Sequence, residues 1–124
     1  MAISLAALTL VSCDEREGWY MPDSHWILKI TDEAEGRRLA LTFDGEAMTS
    51  HDGSWDTPPF SGTETWDYCI YEDQLEIWRT DWSGDTETTV SYSMTISFNE
   101  QVNELTLEYN PLWGKGYTYL FERR

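Results

Sequence analysis

Apolar and polar residues alternate along several short stretches of this chain. Tyr92, Met94 and Ile96, for example, alternate with Ser93 and Thr95. A period of two is typical of β-strands with one buried face, and beyond the leading dozen residues no window shows the period of about 3.6 that indicates a helix. The pattern predicts an all-β domain of about eight strands, at residues 26–31, 38–43, 46–51, 65–71, 74–82, 88–98, 105–110 and 117–122.

Glycines and prolines mark the connections between these predicted strands. All eight glycines and all four prolines fall between strands, where they interrupt no ladder of hydrogen bonds. Asp44-Gly45 is a typical hairpin turn and predicts that Phe43 pairs with Glu46.

A second tight turn is predicted at Glu72-Asp73. It would pair Ile70 with Leu75, and Tyr68 with Ile77 one step further along. Because both pairs match apolar to apolar, they support this register independently of the turn.

Short connections make successive strands antiparallel neighbours. An eight-stranded meander closes into a β-barrel that has no free edges, and a β-sandwich is the alternative architecture. In a barrel of this size we expect side chains to fill the interior.

An uncharged apolar run, residues 1–11, precedes this pattern and is too short to span a bilayer. It leads into Leu10-Val11-Ser12-Cys13, which resembles the lipobox of bacterial lipoproteins. The resemblance implies a signal peptide at residues 1–12, acylation of Cys13, and anchoring of the protein to a membrane of the cell envelope.

The resemblance also implies an organisation for the rest of the chain. Residues 13–18 form an acidic tether and residues 19–124 form the barrel. Acidic residues directly behind the acylated cysteine resemble the export signal of surface-exposed outer-membrane lipoproteins. In other bacteria an Asp in this place resembles an inner-membrane retention signal, and a merely solvated tether is a third interpretation.

The domain resembles the small lipocalin-like lipoproteins. The resemblance rests on Gly18-Trp19 ahead of the first strand, on the meander, and on the closing Tyr-Leu-Phe-Glu-Arg of residues 119–123. It implies a lipocalin-like barrel. The glycine and tryptophan are adjacent and the chain ends on a strand, which departs from the ligand carriers of that family.

Charge limits the choice of partner. The chain has 23 acidic and 8 basic residues, for a net charge of −15. Nucleic acids and anionic lipids demand a basic surface, so we expect no nucleic-acid partner, whereas a cationic protein fits this field. If Cys13 carries lipid, Cys69 has no partner within the chain, and we expect it to pack without a disulfide.

Aromatic residues are the candidates for ligand binding. The strand period turns Trp66 inward and sends Trp78 and Trp82 outward, where exposed indoles bind sugars or cations, unless a loop covers them or the register slips near Arg79. Two long connections would place further aromatic rings at a barrel mouth, where they would admit an apolar or sugar ligand: Trp55, Phe60 and Trp113.

No motif in the sequence indicates a catalytic or metal site. The two histidines have no metal-ligand spacing, so we expect no metal, no cofactor and no catalysis. The sequence predicts an anchored lipoprotein whose barrel binds a small apolar or carbohydrate ligand. The alternatives are an acidic protein-binding module or inhibitor of a cationic enzyme, and a structural component of a surface complex.

Overall fold

A computed structural model of the chain describes residues 18–29, 36–55, 59–111 and 116–124. Within them, eight strands pair antiparallel in chain order, and β1 closes the ring against β8. The strands are β1 (Ser24–Leu28), β2 (Ala40–Asp44), β3 (Ala47–Ser54), β4 (Ser61–Tyr71), β5 (Gln74–Ser83), β6 (Thr86–Phe98), β7 (Glu104–Tyr109) and β8 (Tyr117–Arg123). The predicted all-β meander is confirmed, and it closes as a barrel rather than a sandwich.

The β3–β4 hairpin is longer than predicted, because two glycines lie inside it. Gly53 pairs with Gly62 across the strands, after a register shift at Asp52, which has a φ of +52°. A Cβ atom at Gly53 would overlap the carbonyl oxygen of Phe60. Gly53 therefore permits a close approach of two backbones and Gly62 adopts a φ of +80°, so the glycines lie within the strands instead of ending them.

The turn at Glu72-Asp73 has the predicted register, with Ile70 opposite Leu75 and Tyr68 opposite Ile77.

The other predicted register is wrong. Phe43 pairs with Met48 rather than Glu46, and the central turn residues are Gly45 and Glu46. Gly45 adopts a φ of +61°, and the shift places Phe43 beside another buried apolar side chain. Apolar matching across the strands thus outweighs the local preference of Asp-Gly for the turn centre.

The barrel interior is filled by side chains from every strand. Alternate residues point inward, as the period of two requires, and many of them are fully buried. The largest of these are Trp26, Trp66, Tyr68, Phe43, Phe60, Phe121, Leu41 and Met48. The barrel interior is therefore packed with side chains rather than hollow.

Residues 18–23, the leading segment, close one end of this barrel. Trp19 forms an isolated bridge with Ile70 of β4, and Met21 is buried. The backbone N–H of Met21 donates to the Tyr68 hydroxyl at 2.8 Å, and that hydroxyl donates to the carbonyl of Gly45 at 3.0 Å. One buried phenol thus joins the leading segment to the β2–β3 turn.

Candidate functional site

Trp55 and Phe60 close the other end of the barrel. Trp55 is 8% exposed and Phe60 is fully buried. Both rings meet Tyr119 edge to face at 5.0 Å, and Trp55 meets Tyr117 in the same way at 5.3 Å. These two side chains are core residues, so they do not form the open rim that the sequence predicted. Trp113 lies outside the described residues.

Trp78 points outward from the barrel, as predicted, but it is covered. It is 8% exposed and forms a small outer cluster with Cys69 and Tyr71, against which Tyr20 of the leading segment packs. The interpretation that other chain segments fold over this indole is therefore correct. Trp66 faces inward as expected and is 1% exposed.

Cys69 is fully buried, as expected, but it forms a disulfide. The expectation of an unpaired thiol is wrong. The sequence has one other cysteine, Cys13, which lies outside the described residues. A sulfur atom in a disulfide cannot also carry a thioether-linked lipid, so a Cys13 disulfide and the predicted acylation are mutually exclusive.

The β5–β6 ribbon (residues 79–91) is the most prominent surface feature. β5 and β6 pair as far as Ser83 and Thr86, whereas the pairing of β4 with β5 stops at Trp78 and that of β6 with β7 stops at Thr95. The ribbon therefore extends past the paired neighbours on both sides. Every residue from Thr80 to Thr89 is exposed.

Trp82 lies near the tip of this ribbon, and the prediction that it points outward is confirmed. Its side chain is 66% exposed and lies opposite Glu87. A large apolar side chain held in water on a two-stranded ribbon contributes little to the core, because the ribbon has no packed layer behind it. Its exposed ring is available to a partner.

Carboxylates dominate the charge of the ribbon. Asp81, Asp85 and Glu87 are exposed, and the ribbon's basic residue is Arg79. The Arg79 guanidinium already has two ion pairs, with Glu64 at 2.9 Å and with Asp81 at 3.3 Å, and it lies 4.8 Å from the ring centre of Trp66. The tip of the ribbon therefore presents net negative charge to solvent.

Among the described residues, no group of three His, Cys, Asp or Glu side chains lies close enough to hold a metal ion. His51 Nε2 lies 3.0 Å from the hydroxyl of Thr42, in a hydrogen bond between neighbouring strands. Burial near the outer cluster raises the pKa of the Asp67 carboxyl. No helix in the described residues is long and apolar enough to cross a membrane.

No protein-family model, no curated protein and no solved structure matches this chain.

Proposed function

We propose that this chain is an exported, non-catalytic binding module whose β5–β6 ribbon binds a cationic protein. The observation that carries the proposal is the projection of an acidic, two-stranded ribbon with an exposed indole at its tip. The other sequence-based prediction, a small ligand at an aromatic rim of the barrel, has less support, because Trp55 and Phe60 are buried.

Charge and shape support this choice in different ways. A net charge of −15 attracts cationic partners over a distance and raises the rate of encounter. Trp82 offers the kind of aromatic side chain that contributes most strongly to protein interfaces once a partner buries it. The negative charge would thus attract a cationic partner, and Trp82 would provide the apolar contact once that partner is bound.

The compartment is part of the same proposal. Disulfides persist in oxidising compartments such as the periplasm and the cell surface, and acylation at a lipobox also follows export. Both interpretations of Cys13 therefore favour the bacterial cell envelope. Acylation would add attachment to the outer membrane, whereas a disulfide to Cys69 would leave the exported chain without that anchor.

Mass spectrometry of the protein purified from whole native cells separates these two interpretations. An acylated amino terminus at Cys13 with a free Cys69 thiol supports the anchor. A disulfide-linked peptide pair that contains Cys13 and Cys69 contradicts the anchor and leaves the proposed binding surface untouched.

Lysozyme is a suitable cationic probe for the ribbon. The ribbon variant carries Asp81→Asn, Asp85→Asn and Glu87→Gln; the matched control carries Glu100→Gln, Glu108→Gln and Glu122→Gln, three exposed positions elsewhere. Both variants have the same net charge. We expect calorimetry to show binding about tenfold weaker for the ribbon variant than for the control, with affinity falling steeply with salt.

Trp82→Ala tests the apolar contact separately and should bind lysozyme more weakly than the unmodified chain does. Equal losses in the ribbon variant and the control would show that only net charge matters. That result, or the absence of binding at low salt, contradicts the proposal.

A further inference from the structure

An apolar hollow lies at the end of the barrel opposite the ribbon, between the leading segment and the β6–β7 turn. Its volume is about 230 Å³. It is lined mainly by Trp19, Met21, Trp26, Phe98, Val102 and Arg123. Three large apolar side chains are exposed among the described residues, and Trp19 and Val102 are two of them.

The rings around this hollow are not closely stacked on one another. Phe98 lies 6.4 Å from Trp19 and 6.1 Å from Trp26, with ring planes tilted by 43° and 53°. These are ordinary separations for tilted aromatic pairs, so the three rings form a connected aromatic wall in which Trp19 is 40% exposed. By comparison, a dry engineered cavity of about 150 Å³ binds benzene, so this hollow is large enough for one or two rings.

The indole of Trp26 and the backbone of Trp19 are already hydrogen-bonded. The indole N–H of Trp26 donates to Ser24 Oγ at 2.9 Å. The backbone N–H and carbonyl of Trp19 both bond to Ile70, at 2.7 and 3.0 Å. A guest therefore meets mostly aromatic and aliphatic carbon, which favours an apolar molecule.

The charges around the hollow disfavour an ionised guest of either sign. The Arg123 guanidinium lies 5.8 Å from the ring centre of Trp26, over the face that an organic cation would use. Glu104 and Glu122 lie beside Arg123, although Glu104 is also ion-paired with Lys29 at 2.7 Å, and they offset the attraction of the guanidinium for an organic anion. An uncharged guest needs neither charge.

Val102 provides an independent reason to regard the hollow as a site. It has a φ of +54° and is 44% exposed. The left-handed region is unfavourable for a β-branched residue, and glycine or asparagine is the usual occupant after a tight turn such as this one, where Val102 N–H bonds to Asn99 O at 3.0 Å. Strained positions of this kind cluster at ligand sites, and this valine forms a wall of the hollow.

We propose that this hollow binds a small uncharged aromatic molecule of one or two rings. The site is separate from the β5–β6 ribbon and does not depend on the binding of a cationic protein. The rings of Trp19 and Phe98 contact the guest, and Val102 closes the hollow on the side of the β6–β7 turn.

Nuclear magnetic resonance on the full chain tests the site with naphthalene as the probe. We expect saturable shifts of the Trp19 and Trp26 indole N–H signals and of the Val102 amide, while the Trp82 indole signal stays unchanged. Benzoate, an anionic single ring, should bind more weakly than toluene. Absence of saturable shifts with naphthalene and toluene, or shifts at Trp82 alone, overturns the proposal.

Two variants of Val102 separate binding from strain. Val102→Gly removes both the wall and the backbone strain, whereas Val102→Ala removes the wall and keeps the strain. We expect both to weaken naphthalene binding about tenfold, while only Val102→Gly keeps or raises the Tm. Trp82→Ala is the control and should bind naphthalene as the unmodified chain does. Unchanged binding by both Val102 variants overturns the role of Val102 and with it the proposed site.

Discussion

The hydroxyl of Ser50 accepts a hydrogen bond from the indole N–H of Trp66 at 3.2 Å inside the barrel. Both residues are almost completely buried, and the same hydroxyl donates to the carbonyl of Glu64 at 3.3 Å. A second Ser–Trp pair, Ser24 with Trp26, has the same chemistry at a half-buried serine. The molecule thus contains the same type of Ser–Trp hydrogen bond twice, once at a completely buried serine and once at a half-buried serine.

Ser50→Ala should destabilise the fold by about 1–3 kcal/mol, because it leaves the Trp66 N–H buried without a partner. Ser24→Ala should cost about 0.5–1.5 kcal/mol, since Ser24 is half-buried and a water molecule can take the place of its hydroxyl. Urea unfolding of both variants measures the difference. Equal losses would mean that burial does not set the value of this hydrogen bond.

Tyr68→Phe removes the hydroxyl that joins Met21 to Gly45. We expect a loss of about 1–3 kcal/mol in the free energy of unfolding, together with faster amide hydrogen exchange at Met21. Tyr109→Phe is the control, because Tyr109 contacts Tyr92 through its ring. Loss of stability in both variants to the same extent would contradict a special role for the Tyr68 hydroxyl.

Alkaline pH should weaken the fold through the same residue. Burial raises the pKa of Tyr68 from its ordinary value of 10.0 to about 12. Below pH 10 the phenol keeps its proton in both states, so its contribution to stability is constant. Between pH 10 and 12 the unfolded chain releases the proton and the folded chain keeps it, so the free energy of unfolding falls by about 1.4 kcal/mol per pH unit.

Urea unfolding across this pH range should therefore show a steeper loss for the unmodified chain than for Tyr68→Phe. Part of the loss will persist in the variant, since burial also raises the pKa of Tyr92. Identical slopes for both proteins would exclude Tyr68 as the group responsible.

Gly53→Ala should destabilise the fold strongly, because the added methyl would overlap the backbone carbonyl of Phe60. We expect a loss of about 3 kcal/mol or more. Gly84→Ala is the matched comparison: its φ of +64° adds strain of about 1–2 kcal/mol, but nothing lies within 4 Å of the new methyl. Thermal unfolding that ranks Gly84→Ala as the more harmful change would contradict the close approach at Gly53.

Alternation of apolar and polar residues was sufficient to predict the eight strands, but it left open whether they close as a barrel or stack as a sandwich. Each inward side chain, such as Ile77 or Leu107, reports its own position through a period that depends only on the local backbone. The turn at Gly45 was misplaced for the opposite reason. Its register depends on which side chains meet across the hairpin, and the Asp-Gly pair alone does not encode that.

The candidate binding surfaces were harder to predict, because they also depend on contacts between residues that are distant in sequence. The period of two correctly turned Trp78 outward, yet whether an outward side chain is exposed depends on Tyr20, which is distant in sequence. The hollow likewise joins Trp19 to Val102 across most of the chain. The positive φ of Val102 leaves no signal in composition, since valine is an unusual residue for that conformation.

The bridge between Trp19 and Ile70 fixes the end of the barrel at which the leading segment lies. Ile70 lies near the start of the β4–β5 hairpin turn, so the leading segment lies at that end of the barrel. β5 runs from there for ten residues, roughly 30 Å, to the tip at Gly84. Attachment of the protein to a support through the leading segment would therefore place the indole of Trp82 at the opposite end of the barrel, pointing away from that support.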